Sequence, residues 1–264
     1  MSTMTALWRA VHAEPIRTGG LRSPLWMVSL PLAVLVPTVV TGGVAVVAEQ
    51  IASRPGTLQV TAATTTNSVY WIISLTVIVF ALTGAHQQSS ATRGLAGTPV
   101  RFVTPSSSIG MAARWIHLGV VAALCVLLEV IAVMLTLPTL FPIVYGDVDL
   151  ASASGLRFAW TVPLFAFLAV GAGIGVGALI GHPVAAVGAL ALWVYVIENA
   201  IALVPHGQEI IAYMPYLNGV YGTGQEIAFL SNWSPNKSLV YFGAVALVVF
   251  IVGAFWEHRR RRRA

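Results

Sequence analysis

Only 9% of the 264 residues are charged, 57% are hydrophobic, and the mean hydropathy is +0.83. A soluble domain carries about a quarter charged residues, so this composition excludes a water-soluble globule and makes lipid the natural solvent of most of the chain. The net charge of +5 does not point to nucleic acid, because the arginines sit in short connections and at the ends of apolar runs.

The chain opens on a weakly apolar stretch, about 5–23, that contains HAEPIRTGGLRSPLW. Glu14, Arg17 and Arg22 crowd together there, just ahead of the first membrane-length run. Pro15 is tolerated in the first turn of a helix. Gly19 and Gly20 then weaken that helix by around 1 kcal/mol each relative to Ala. No cleavable signal peptide is expected, since the first apolar run is too long for one.

A bilayer-spanning helix needs about 20 mostly apolar residues. Six runs qualify, at roughly 25–48, 69–86, 116–137, 158–181, 183–204 and 239–256. None needs a strand, and lipid forbids open sheets because their edge amides find no partner. The expected class is an all-α integral membrane protein of one domain.

Pro31 and Pro37 interrupt the first span and can bend it. Between spans two and three lies a polar connector, 87–115, within HQQSSATRGLAGTPVRFVTPSSS and the residues after it. Gly94, Gly97, Pro99 and Pro105 leave it room for short helical pieces only. His86 and His117 flank it, but two isolated histidines make no metal site, which needs three or four convergent ligands. The lone cysteine, Cys125, excludes an internal disulfide.

Two acids fall inside spans: Glu129 past the middle of the third, and Glu198 in the outer half of the fifth. An acid at the centre of a lipid-facing helix costs roughly 2.5–3.5 kcal/mol. One reading puts both on a translocation path or makes them a cation-binding point. The other makes them protonated or hydrogen-bonded structural acids. If Glu198 lies on the path, Glu198→Gln reduces transport with little loss of expression.

Span four contains GAGIGVGALIG, with Gly171, Gly173, Gly175, Gly177 and Gly181. Small residues four apart let helix backbones approach closely, inside the subunit or across a dimer. Gly181-His182-Pro183 makes a tight turn into span five. The stretch 205–238 is long yet apolar, with Ile210, Ile211, Met214, Tyr216, Tyr221, Phe229 and Trp233. It reads as short re-entrant or interfacial helices. The chain ends in WEHRRRRR, a stop-transfer anchor. Each arginine near an anionic leaflet is worth about 1 kcal/mol.

The connections then set direction. With a cytoplasmic N-terminus, eleven basic residues fall inside: Arg9, Arg17, Arg22, Arg93, Arg101, Arg114 and Arg259 to Arg263. Three fall outside: Arg54, Arg157 and Lys237. The positive-inside rule therefore puts both termini in the cytoplasm. Trp26, Trp115 and Trp256 mark the inner interface, and Tyr70, Trp71 and Trp160 the outer one. Signatures of hydrolases and metalloproteases are missing, as is a P-loop. If ATP powers this protein, another chain binds it.

The pattern resembles the ABC type-2 permease family, the membrane subunits of bacterial ABC exporters, and is most similar to small actinobacterial members. Glu14, Arg17, Leu21, Arg22 and Ser23 resemble the family's N-terminal E-x-x-K/R…L-R-S pattern. Thr92, Leu95, Pro99, Arg101 and Arg114 are similar to its inner-loop run, and Glu198 sits where many such permeases carry an acid. The resemblance implies an interfacial helix before span one and a coupling helix in the loop between spans two and three. It implies re-entrant helices before span six, and both ends inside a bacterial plasma membrane. Glu14, Arg17, Arg22, Thr92, Arg93, Arg101 and Arg114 would then meet a separate ATP-binding subunit, which holds ATP and Mg. The chain itself has no cofactor. A second permease copy or paralogue, and membrane lipid, complete the partners. The substrate class implied is amphipathic or lipid-like.

Two rivals stand beside an exporter. One is a membrane sensor or immunity protein that binds a peptide or lipid without moving it. The other is an intramembrane enzyme using Glu129 and Glu198 as an acid pair.

Overall fold

The computed structural model describes residues 3–54, 61–91, 106–228 and 231–263. The connector residues Thr92, Arg93, Gly94, Leu95, Gly97, Pro99, Arg101 and Pro105, together with Phe229, lie outside the described residues. Among the described residues there are helices and no strand. Six helices among the described residues are long and apolar enough to cross a membrane.

Helix α1 covers Thr3–Arg17. It stops where Gly19 and Gly20 take positive φ, +102° and +59°, a conformation glycine adopts without a Cβ penalty. Pro15 sits in the last turn of α1 and does not start it. Its missing N–H deprives one carbonyl of a partner just before the helix ends anyway.

The spans are α2 (Leu25–Ala52), α3 (Thr65–Ala91), α4 (Ser107–Leu140), α6 (Ala153–Ile180), α7 (Pro183–Leu203) and α10 (Pro235–Arg263). Shorter helices are α5 (Pro142–Tyr145), α8 (Gly207–Ile211) and α9 (Pro215–Thr223). The largest departure from expectation is at α4, which begins at Ser107 where 116 was expected. SSIGMAARW has no proline and a single glycine, Gly110, so the helix continues past the apolar run. Arg114 and Trp115 thereby belong to a helix and not to a loop.

Helix α6 is the hub, packed against α3, α4 and α10. Its glycines make this possible. A Cβ on Gly173 would meet the Ala81 carbonyl of α3, and one on Gly177 the Ala85 carbonyl. A Cβ on Gly175 would lie 2.6 Å from the Val249 carbonyl oxygen of α10. Two neighbouring backbones therefore close on α6 from different sides, as small residues permit in lipid. Gly171 makes room for the Trp115 indole, and Gly181 ends α6 at φ +67°.

Gly173→Ala should cost about 1–3 kcal/mol through overpacking. Gly188→Ala is the control, because nothing lies within 4 Å of its added Cβ and alanine is the better helix former. Thermal survival in detergent, followed by size exclusion, checks this: the first variant loses stability and the second does not.

Burial is uneven. In α3, 72% of the most apolar window is buried, against 22% in α2 and 17% in α7. Helix α3 is thus the core of the bundle, while α2 and α7 turn apolar faces outward.

Candidate functional site

Three of the polar clusters among the described residues hold the acids and basic residues singled out in the sequence. The first is the end of the bundle that carries both termini. There Glu14 of α1 is 3% exposed and Arg114 of α4 is 2% exposed. Arg17 Nε donates to Glu14 Oε2 at 2.9 Å, and Arg114 Nε stands 3.7 Å from the same oxygen. Arg114 Nη1 donates to Oε1 of Gln88, a fully buried residue near the end of α3. Charges buried this deeply persist only when paired. Beside them, Arg261 Nε donates to the buried Glu257 of α10 at 2.8 Å. Arg260 donates to the Ala178 and Leu179 carbonyls at 3.2 and 2.6 Å. Those carbonyls end α6 and have no helical donor of their own, and a cation there complements the helix dipole.

Of the residues expected to face a partner, the structure brings Glu14, Arg17 and Arg114 together. Arg22 is exposed on the turn after α1. Thr92, Arg93 and Arg101 are outside the described residues. Gln88 was missed: a glutamine in HQQSS reads as loop polarity, and nothing local shows that it turns inward. Glu257 and Arg261, four apart, carried the spacing of a helical ion pair.

Trp115, expected at the inner interface, packs against a neighbouring helix. Its ring stacks on Phe167, with centroids 5.5 Å apart, and its Nε1 donates to the Phe167 carbonyl at 2.8 Å. A half-buried indole N–H is best met by such an acceptor, and the neighbouring helix supplies it.

The second place surrounds Glu129. Helix α3 contains a wide turn at Ile72–Thr76, with π-type i→i+5 hydrogen bonding. Thr76 Oγ1 lies 2.6 Å from Glu129 Oε2 and 3.0 Å from the Ala33 carbonyl oxygen of α2. Pro37, four residues after Ala33, has no N–H to offer that carbonyl. Three spans thus meet at one hydroxyl.

The third is Glu198 on α7, which is fully buried. Its Oε1 accepts from the Tyr216 amide at 2.9 Å and from Trp193 Nε1 at 2.8 Å, and its Oε2 accepts from the Leu217 amide at 2.9 Å. Tyr216 and Leu217 follow Pro215 in the first turn of α9, where amides lack helical acceptors. Glu198 is therefore a cap reaching α9 from another helix. Tyr216 in turn donates its hydroxyl proton to the Ser74 carbonyl in the wide turn of α3, at 2.9 Å.

Glu129 and Glu198 share no hydrogen-bond partner. Among the described residues no group of three or more His, Cys, Asp and Glu side chains forms a metal site.

No family model, curated protein or solved structure matches the chain.

A cavity of about 320 Å³ lies between α3, α6, α7 and α10. Its walls are aliphatic and aromatic, including Ile78, Val176 and Phe242, and Trp193, Glu198 and Tyr216 supply its polar side chains. Both oxygens of Glu198 and the Tyr216 hydroxyl are already engaged within the chain. What remains is space suited to apolar matter.

Proposed function

We propose that this chain is the membrane-spanning permease subunit of an ATP-driven exporter of the ABC type-2 kind. The observation that carries the reading is the buried contact of Glu14 and Gln88 with Arg114. It ties α1 to α4, and α4 to α3, just at the two ends of the connector 92–105. Force delivered to that connector by a soluble ATPase enters a stiff joint and passes into three helices together. Isolated flexible loops would dissipate it.

Under this reading both termini lie in the cytoplasm of a bacterium, and α8 and α9 are re-entrant helices at the outer face. The ATPase partner holds ATP and magnesium. Helices α2 and α7, which bury the least, are free to meet a second permease copy or lipid. The apolar cavity suits an amphipathic or lipid-like substrate.

The test is a pull-down in mild detergent, with an ATPase assay of whatever accompanies the chain. An ATP-binding subunit should co-purify, and Arg101→Glu should weaken its association. Recovery of the chain alone would defeat the reading. A complex that survives the Arg101 change at high salt would defeat the docking assignment.

A further inference from the structure

Thr76 has one hydroxyl proton and stands between two oxygens. A hydroxyl donates once but accepts through two lone pairs. One neighbour, the Ala33 carbonyl, can only accept. Its helical donor is missing because position 37 is proline, and lipid offers no water in its place. The hydroxyl proton therefore goes to Ala33, across 3.0 Å. The 2.6 Å contact with Glu129 Oε2 then needs a proton of its own, and only the carboxyl can carry it.

A second observation agrees. Glu129 Oε1 is buried with no hydrogen-bond partner. Among the described residues no Lys, Arg or His lies within the 4.0 Å of an ion pair with it. The groups shown around it are uncharged: Thr76 from α3, the Ala33 carbonyl of α2 that Thr76 also reaches, and the Cys125 thiol one turn earlier on α4. A carboxylate left bare among such groups is costly, while a neutral acid is tolerated.

The geometry points to Glu129 as a proton-binding site within the bundle, whose bound proton joins α4 to α3 and, through Thr76, to the Ala33 carbonyl of α2. Glu129 Oε2–H donates to Thr76 Oγ1, and Thr76 Oγ1–H donates to the Ala33 carbonyl. Removing the proton leaves one hydrogen for two acceptors, so one contact turns repulsive and the junction opens. The inference does not depend on the transport reading.

The test is infrared spectroscopy of the full chain in lipid near neutral pH. The wild type should show a carbonyl stretch of a protonated carboxyl that shifts in deuterated water. Glu129→Gln should abolish it. Thr76→Val should shift it, because the acid loses its acceptor. The melting temperature adds a second readout. Glutamine still donates an N–H to Thr76, so Glu129→Gln should melt near the wild type, whereas Glu129→Ala and Thr76→Val should melt lower. The proposal is overturned if the wild type lacks the band, if the band survives Glu129→Gln, or if Thr76→Val leaves it unmoved. It is equally overturned if Glu129→Gln unfolds as readily as Glu129→Ala.

Discussion

Glu14→Ala should release α1 from the bundle and lower stability by about 3–5 kcal/mol, the range for stripping a buried ion of its partner. Arg114 would keep Gln88 but lose its counter-charge, and Arg17 would remain nearby as a like charge. Both side chains of the pair are under 5% exposed, so water relieves little of this. Two readouts check it. Thermal melting in detergent reports the loss of stability. Alkylation of a cysteine placed at Ala10, which is buried in α1, reports detachment. A double change, Glu14→Leu with Arg114→Met, removes both charges together and should restore much of the stability, since apolar replacement of a whole buried pair is often neutral or better. If Glu14→Ala neither melts early nor exposes position 10, the cluster is not the joint that holds α1.

The six spans were legible because lipid imposes a blunt rule of about 20 apolar residues per crossing. Their ends were less so, because a helix does not stop where its apolarity stops. Arg114 shows the consequence. As a charge beside a polar connector it read as a surface group, yet it lies on a helix face that α1 and α3 enclose. The break at Gly19 and Gly20 was visible, since backbone freedom is a local property. The two intramembrane acids were visible as anomalies, but their difference was not. Glu129 is explained by a proline 92 residues before it and a threonine 53 before it. Glu198 is explained by amides 18 and 19 residues after it. Such pairings depend on which faces the helices present after packing, and no local periodicity carries that. The wide turn of α3 is equally silent in IISLT, although its Ser74 and Thr76 bring the α9 tyrosine and the Glu129 junction onto one helix.

Glu198→Gln is the sharper case, because the two readings of this acid now predict different results. A path residue would lose transport and keep its fold. The cap predicts a loss of stability as well. Three donors converge on the carboxylate, two on Oε1 and one on Oε2. Glutamine offers one oxygen and one NH2. In either orientation the NH2 faces at least one N–H, so a buried donor is left without an acceptor, at about 1–3 kcal/mol. Glu198→Ala leaves all three bare and should cost several kcal/mol. Trp193→Phe should cost least, because the removed donor leaves with its side chain and the carboxylate keeps both amides. The expected order of melting temperatures is therefore wild type, Trp193→Phe, Glu198→Gln, Glu198→Ala. Helix α9 should loosen in the same order, since its first turn hangs on these bonds, and alkylation of a cysteine at Leu217 would follow it. A Glu198→Gln protein that melts with the wild type but no longer transports would reverse the assignment: the negative charge would matter for what passes through, and the capping bonds would be incidental.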